Sequence, residues 1–134
     1  MKTLKHTVQG TEYTLSITGT VGLQIMAQTI VPDETERHTT TTVPVLGDES
    51  KSEERTIPTA KWLMALLYSA FITSNPKAQG TIDFVQFMMS FSTSEFNAAV
   101  TWYYEAYAER EGILPAPSVS GDESPENEGE EKNA

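Results

Sequence analysis

A chain of 134 residues accommodates one domain, and the share of its surface that a domain of this size buries unaided is modest. Its formal charge of −10 is concentrated: residues 118–134 hold six acids and one lysine, residues 32–56 seven acids and three bases, and the remainder six acids against five bases. A near-neutral core carrying acidic segments disfavours nucleic acid and anionic membrane as partners, and the absence of cysteine excludes disulfides and thiolate metal sites.

Leu4, His6 and Val8 alternate with polar residues, as do Tyr13, Leu15 and Ile17, with turn chemistry in Gln9-Gly10-Thr11-Glu12 between them. This predicts a β-hairpin within 2–18, which needs a body to lie on. After Gly19, with Thr20 as a candidate cap, Leu23, Met26, Ala27 and Ile30 fall at helical spacing up to Pro32, while Gly22 leaves an extended reading of Val21–Val31 open. Residues 32–56 read as a flexible polar insert, a long loop with at most one edge strand near Thr39–Leu46, because Asp48–Arg55 is charged and has no apolar period.

Pro58 suits the first turn of the next helix, with Thr56 or Thr59 as its cap, and Asn75-Pro76 stops it. Gly80-Thr81 opens a second helix over 81–91. Ser92 with Glu95 forms a capping box for a third over 93–111, closed by Gly112. Phe96, Ala99, Val100, Tyr103 and Tyr107 would form the core face of that third helix. From Pro115 to Ala134, Pro, Ser, Gly and Glu dominate, which predicts a disordered acidic tail. The expected fold class is α+β: one domain over 1–114, with the hairpin packed on three to four helices.

On a wheel of about 100° per residue, the helix over 59–74 is apolar except for a strip of Lys61, Ser69 and Thr73. The helix over 81–91 is apolar except for a line of Asp83, Gln86 and Ser90. Helices apolar on most of their circumference must be buried on most of it. A chain this short has little interior for two, so the surplus is expected to meet other chains, in self-association and in binding a helical partner. Trp102 and Tyr104 flank the core face of the third helix without belonging to it. With Phe87 and Met88 of the second helix they are the expected partner-binding residues. Were Trp102 core instead, its truncation would destabilise the fold.

Residues for chemistry are sparse. His6 lies in a predicted strand and His38 in the insert, and neither has an acid or a second histidine three or four residues on along a helix, so no metal site is expected. No phosphate-binding glycine loop, nucleophile elbow or H-E-x-x-H motif occurs. Glu105, Glu109 and Glu111, with Arg110 among them, read as a solvated face. Lys77 is the only base between Trp62 and Tyr107, which leaves no basic stripe for nucleic acid. The run Trp62–Ile72 is too short to span a bilayer, and the first six residues are not followed by an apolar stretch of the secretory kind. A cytoplasmic protein without enzymatic activity or cofactor is expected.

The order of features, an N-terminal hairpin, a spacer, "LLYSAFITSNP", "GTIDFVQFMM" and "SEFNAAVTWYYEAYAER", resembles the tail assembly chaperones of long-tailed bacteriophages and prophages. The positions that carry the resemblance are Leu67, Ala70, Phe71, Asn75, Pro76, Thr81 and Phe84 or Val85. The insert at 32–56 is longer than in the simplest members, and Trp62 and the threonine run are not family features. The resemblance implies a non-enzymatic protein of the bacterial host cytoplasm that coats the long, helical tape-measure protein until tail-tube subunits replace it. A small structural virion subunit or oligomeric adaptor is the competing expectation.

Overall fold

Residues 2–112 are described by a computed structural model, and the expected tail at 115–134 lies outside them. Strands β1 (Leu4–Val8) and β2 (Thr11–Leu15) pair antiparallel, Leu4 opposite Leu15 and Val8 opposite Thr11. Gln9 and Gly10 between them both have positive φ, 51° and 83°, as a two-residue turn requires if it is to follow the twist of its strands. The alternation read from the sequence is the burial pattern: His6, Val8, Leu15 and Ile17 are all buried.

Helix α1 (Thr20–Ile30) buries Leu23 and Ala27. Gly19 is its N-cap; Thr20 is the first helical residue, and its hydroxyl donates to the Glu111 carboxylate at 2.7 Å rather than capping. A 3₁₀ turn at Glu34–Glu36 leads into the main departure from expectation. The insert is a second hairpin, β3 (His38–Val45) with β4 (Asp48–Pro58), paired antiparallel from His38–Pro58 to Pro44–Ser52. Threonines and Val43 supply the β preference, and Gly47, at φ 89°, supplies the reversal. Both faces of this ribbon meet solvent, so no apolar alternation marks it.

Pro58 ends β4 instead of opening a helix. Thr59 caps α2 (Ala60–Ser74): its hydroxyl accepts from the Trp62 N–H at 3.1 Å and donates to the Glu36 carbonyl at 2.7 Å. From Met64 to Ile72 every α2 residue is buried. The polar strip foreseen on this helix closes over Ser69, which is 0 % exposed and returns its hydroxyl to the Ala65 carbonyl at 2.8 Å, so no buried polar group is orphaned there. The covering comes from this chain alone, since α1, β2, α3 and α4 all pack on α2. That corrects the inference that its surplus surface must meet another chain. The N-terminal hairpin is fastened by Ser74, whose hydroxyl accepts from the Ser16 N–H at 2.8 Å and donates to the Ser16 carbonyl at 3.0 Å. Asn75 Nδ2 donates to the Thr14 carbonyl at 3.0 Å.

A 3₁₀ turn at Pro76–Ala78 precedes α3 (Phe84–Met89), which is shorter than the expected 81–91. The reason is local: Asp83 and Gln86 form a capping box that starts the helix at Phe84. The last helix, α4 (Thr93–Arg110), has the predicted Ser92–Glu95 capping box, and Gly112 beyond it sits at φ 72°. The described chain is thus α+β, two hairpins and four helices, with the first hairpin, α1, α3 and α4 packed on α2. Because Leu67 is 1 % exposed at the middle of α2, Leu67→Ala should lower the unfolding free energy by about 2–5 kcal/mol, as read from the midpoint of a urea titration.

Candidate protein-binding surface

Six residues make α3 too short to hold itself, and aromatic packing holds it instead. Phe87, 0 % exposed, stacks on Phe71 with centroids 4.8 Å apart and meets Tyr68 at 5.4 Å and Phe91 at 5.1 Å. The Tyr68 hydroxyl donates to the Ile82 carbonyl at 2.6 Å, pinning the entry to the helix. Phe87 is therefore an anchor of the fold and not a surface contact, a correction to its expected partner-binding role. The opposite side of α3 is left open, with Val85 59 % and Met89 80 % exposed.

Next to that open side is an apolar groove of about 520 Å³ between the start of α2, α3 and the start of α4. Its apolar walls are Met64, Phe84, Met88, Phe91 and Phe96, with Lys61 at the rim, where its ammonium pairs with Glu36. Of the four expected contact residues only Met88 lines it. The nearly unbroken apolar wheel of 81–91 is the sequence signal for Phe84 and Phe91, whereas Met64 and Phe96 reach the groove only through the tertiary fold.

Trp102 is 7 % exposed and belongs to the core, which resolves the alternative left open by the sequence. The buried face of α4 is Ala99, Trp102, Tyr103 and Ala106, turned about 65° on the wheel from the face expected. Ala99 and Ala106, seven residues apart on one side, present little bulk there, so that side is the one that can approach the body closely and bring Trp102 in with it. Phe96 and Tyr107, the larger residues of the expected face, end half-buried. The Trp102 Nε1 is buried and has no hydrogen-bond partner among the described residues. Tyr104 stays on the surface, 51 % exposed, against Tyr103 at 5.6 Å and away from the groove lining. Burial pushes the Tyr103 hydroxyl well above its ordinary pKa.

His6 fastens the first hairpin to this region. Its ring, 6 % exposed, stacks on Phe91 at 3.8 Å and 7° and meets Phe87 edge-on. Ser90 Oγ donates its single proton to the Phe87 carbonyl at 2.5 Å, so in its 2.8 Å contact with His6 Nε2 it accepts, which places the proton of the neutral ring on Nε2. Burial lowers the His6 pKa below 6.5, opposed by the nearby Glu95 carboxylate. His38 instead stands beside Trp62, at 6.4 Å, with the Arg37 guanidinium over the same indole at 5.3 Å.

The acids of α4 are tied into the fold: Glu109 accepts from the Lys2 backbone N–H at 2.9 Å, and Glu105 pairs with the Lys2 ammonium at 3.4 Å. Among the described residues no group of three or more histidines and acids is arranged to hold a metal ion, and no helix is long and apolar enough to cross a membrane. Comparison with known family models, characterised sequences and solved structures gives no match for this chain.

Two outcomes are expected from this arrangement. Trp102→Ala should destabilise the protein by about 3–5 kcal/mol, the cost of truncating a core aromatic. Tyr104→Ala should change stability by less than about 0.5 kcal/mol, as for an ordinary surface site, and thermal unfolding of both variants tests the contrast. The fold favours neutral His6, so its contribution to stability is complete above the unfolded pKa near 6.5 and is lost as pH falls through the lower folded pKa. Denaturant midpoints measured from pH 8 to pH 5 should therefore fall at the acid end, with a shallower fall in His6→Gln.

Proposed function

We propose that this protein is a non-enzymatic tail assembly chaperone that shields a long, tape-measure-like helical protein in the cytoplasm of a bacterial host. The observation that carries the reading is the groove between α2, α3 and α4. A slot of about 520 Å³ walled by two methionines and three phenylalanines has the chemistry of a helix-in-groove site, which takes apolar side chains repeating every three or four residues along a partner helix. Met64 and Met88 add a soft lining that adapts to side chains of different shape, as a protein coating a long and varied client needs. Val85 and Met89 extend the apolar area beyond the groove along α3. The order of hairpin, α2, α3 and α4 along the chain supports the same reading through its resemblance to the phage chaperones.

An oligomeric adaptor is the second reading, favoured by one observation: the β3–β4 ribbon projects with almost no side-chain burial.

Titration of a fluorescently labelled synthetic amphipathic helix, with leucines repeating every three or four residues, tests the proposal. The full-length protein should bind it with saturation. Met88→Asp should weaken binding about tenfold or more, equivalent to about 1.4 kcal/mol, while Tyr104→Ala leaves it unchanged. No binding by the unmodified protein, or equal binding by Met88→Asp, would overturn the assignment.

A further inference from the structure

The β3–β4 ribbon is a sheet of only two strands, and no other strand pairs with it among the described residues. Two strands alone are marginal in water and gain independent stability from a third. The two edges of this ribbon are not equivalent. Pro44 lies inside the paired part of β3, where it removes a donor and closes that edge to a further strand. In β4 the register shifts between Pro44–Ser52 and Val45–Asp48, so Glu49, Ser50 and Lys51 are extra residues without cross-strand partners. What remains is a regular edge, Ser52–Ile57, free of proline and exposed at every residue.

We infer that this edge of β4 pairs antiparallel with the same edge of a second copy, giving a four-stranded sheet in the order β3-β4-β4-β3 about a two-fold axis. An axis normal to the sheet keeps each residue on its own face, so only residues of like parity meet across it. The charges then select the register. Centred on Glu53, the pairing sets that carboxylate against itself; centred on Arg55, it sets guanidinium against guanidinium. Centred on Glu54, it places Glu53 of each copy opposite Arg55 of the other, and Ser52 opposite Thr56. The Glu53–Arg55 ion pair now closed within one chain, at 3.1 Å, becomes shared across the axis on the face that also carries Val43 and Ile57. Opposite charges facing each other across strands favour pairing, and like charges oppose it. One unfavourable contact is built in: Glu54 meets its own copy on the other face. Self-pairing of identical edges about a two-fold closes on itself and does not run on into a fibre.

The chain has no cysteine, so a single introduced thiol reports the register. In the full-length protein, Glu54→Cys should form a covalent dimer under mild oxidation, because residues directly opposite across strands bring Cβ atoms to about 4.5–5.5 Å. Thr42→Cys, one strand further in, should not. In sedimentation without cysteine variants, Arg55→Glu should weaken self-association about tenfold, the paired change Glu53→Arg with Arg55→Glu should restore it, and Glu54→Gln should tighten it. The inference is overturned if the protein sediments as a monomer at every soluble concentration. It is equally overturned if Thr42→Cys cross-links as readily as Glu54→Cys, or if an association exists that ignores the charge exchange, which would place the contact on the groove or another face. None of these outcomes depends on whether the groove binds a helix.

Discussion

A helix with apolar side chains on every side persists in water only if every side is covered, and α2 imposes that condition on the rest of this chain. Trp62, Leu66, Leu67, Phe71 and Ile72 are all buried, so the other elements are arranged as a casing around one fifteen-residue rod. Burying a side chain of this size is worth about 1.5–3 kcal/mol, and α2 supplies more buried residues than any other element. Polar groups on the rod are handled locally: Ser69 and Thr73 return their hydroxyls to carbonyls one turn back, and the Thr59 and Asn75 side chains bond at its two ends.

The casing also decides which surfaces are left for other molecules. The first hairpin, α1 and α4 pack on α2, although α1 keeps Val21 and Ile25 exposed and α4 keeps Tyr104 exposed. Helix α3 has only Phe87 fully committed to the core, and its remaining apolar residues border the groove or face solvent. The ribbon commits little of its surface, touching the body mainly at its base, where His38 and Arg37 gather about Trp62. The described residues thus include two free surfaces of different chemistry, an apolar slot and a charged backbone edge. Under the two proposals, the slot would take a helical client and the edge would pair with a second copy.

Elements whose residues divide between core and solvent were legible in the sequence. The alternation of Leu4, His6 and Val8, the stop at Asn75-Pro76 and the Ser92–Glu95 box all report local physics that the fold preserves. What was not legible depended on packing partners. The ribbon was hidden because Asp48–Arg55 faces water on both sides, so burial imposes no period on it. The orientation of α4 departs from the wheel because a wheel weighs Phe96 and Tyr107 by hydrophobicity, whereas the small residues Ala99 and Ala106 let the helix approach closely and bring Trp102 inward. The groove was half visible: the apolar wheel of 81–91 pointed to α3, but Met64 and Phe96 join it only through the tertiary fold.

Internal coverage of α2 is the claim on which the assignment of the free surfaces rests, and native-state hydrogen exchange of the full-length protein over a range of concentrations tests it most directly. If the chain covers its own central helix, the amides of residues 64–72 exchange only through global unfolding, and their protection is the same at low and high protein concentration. Protection of those amides that appears only as concentration rises would mean that a second molecule supplies the cover, and would contradict the account.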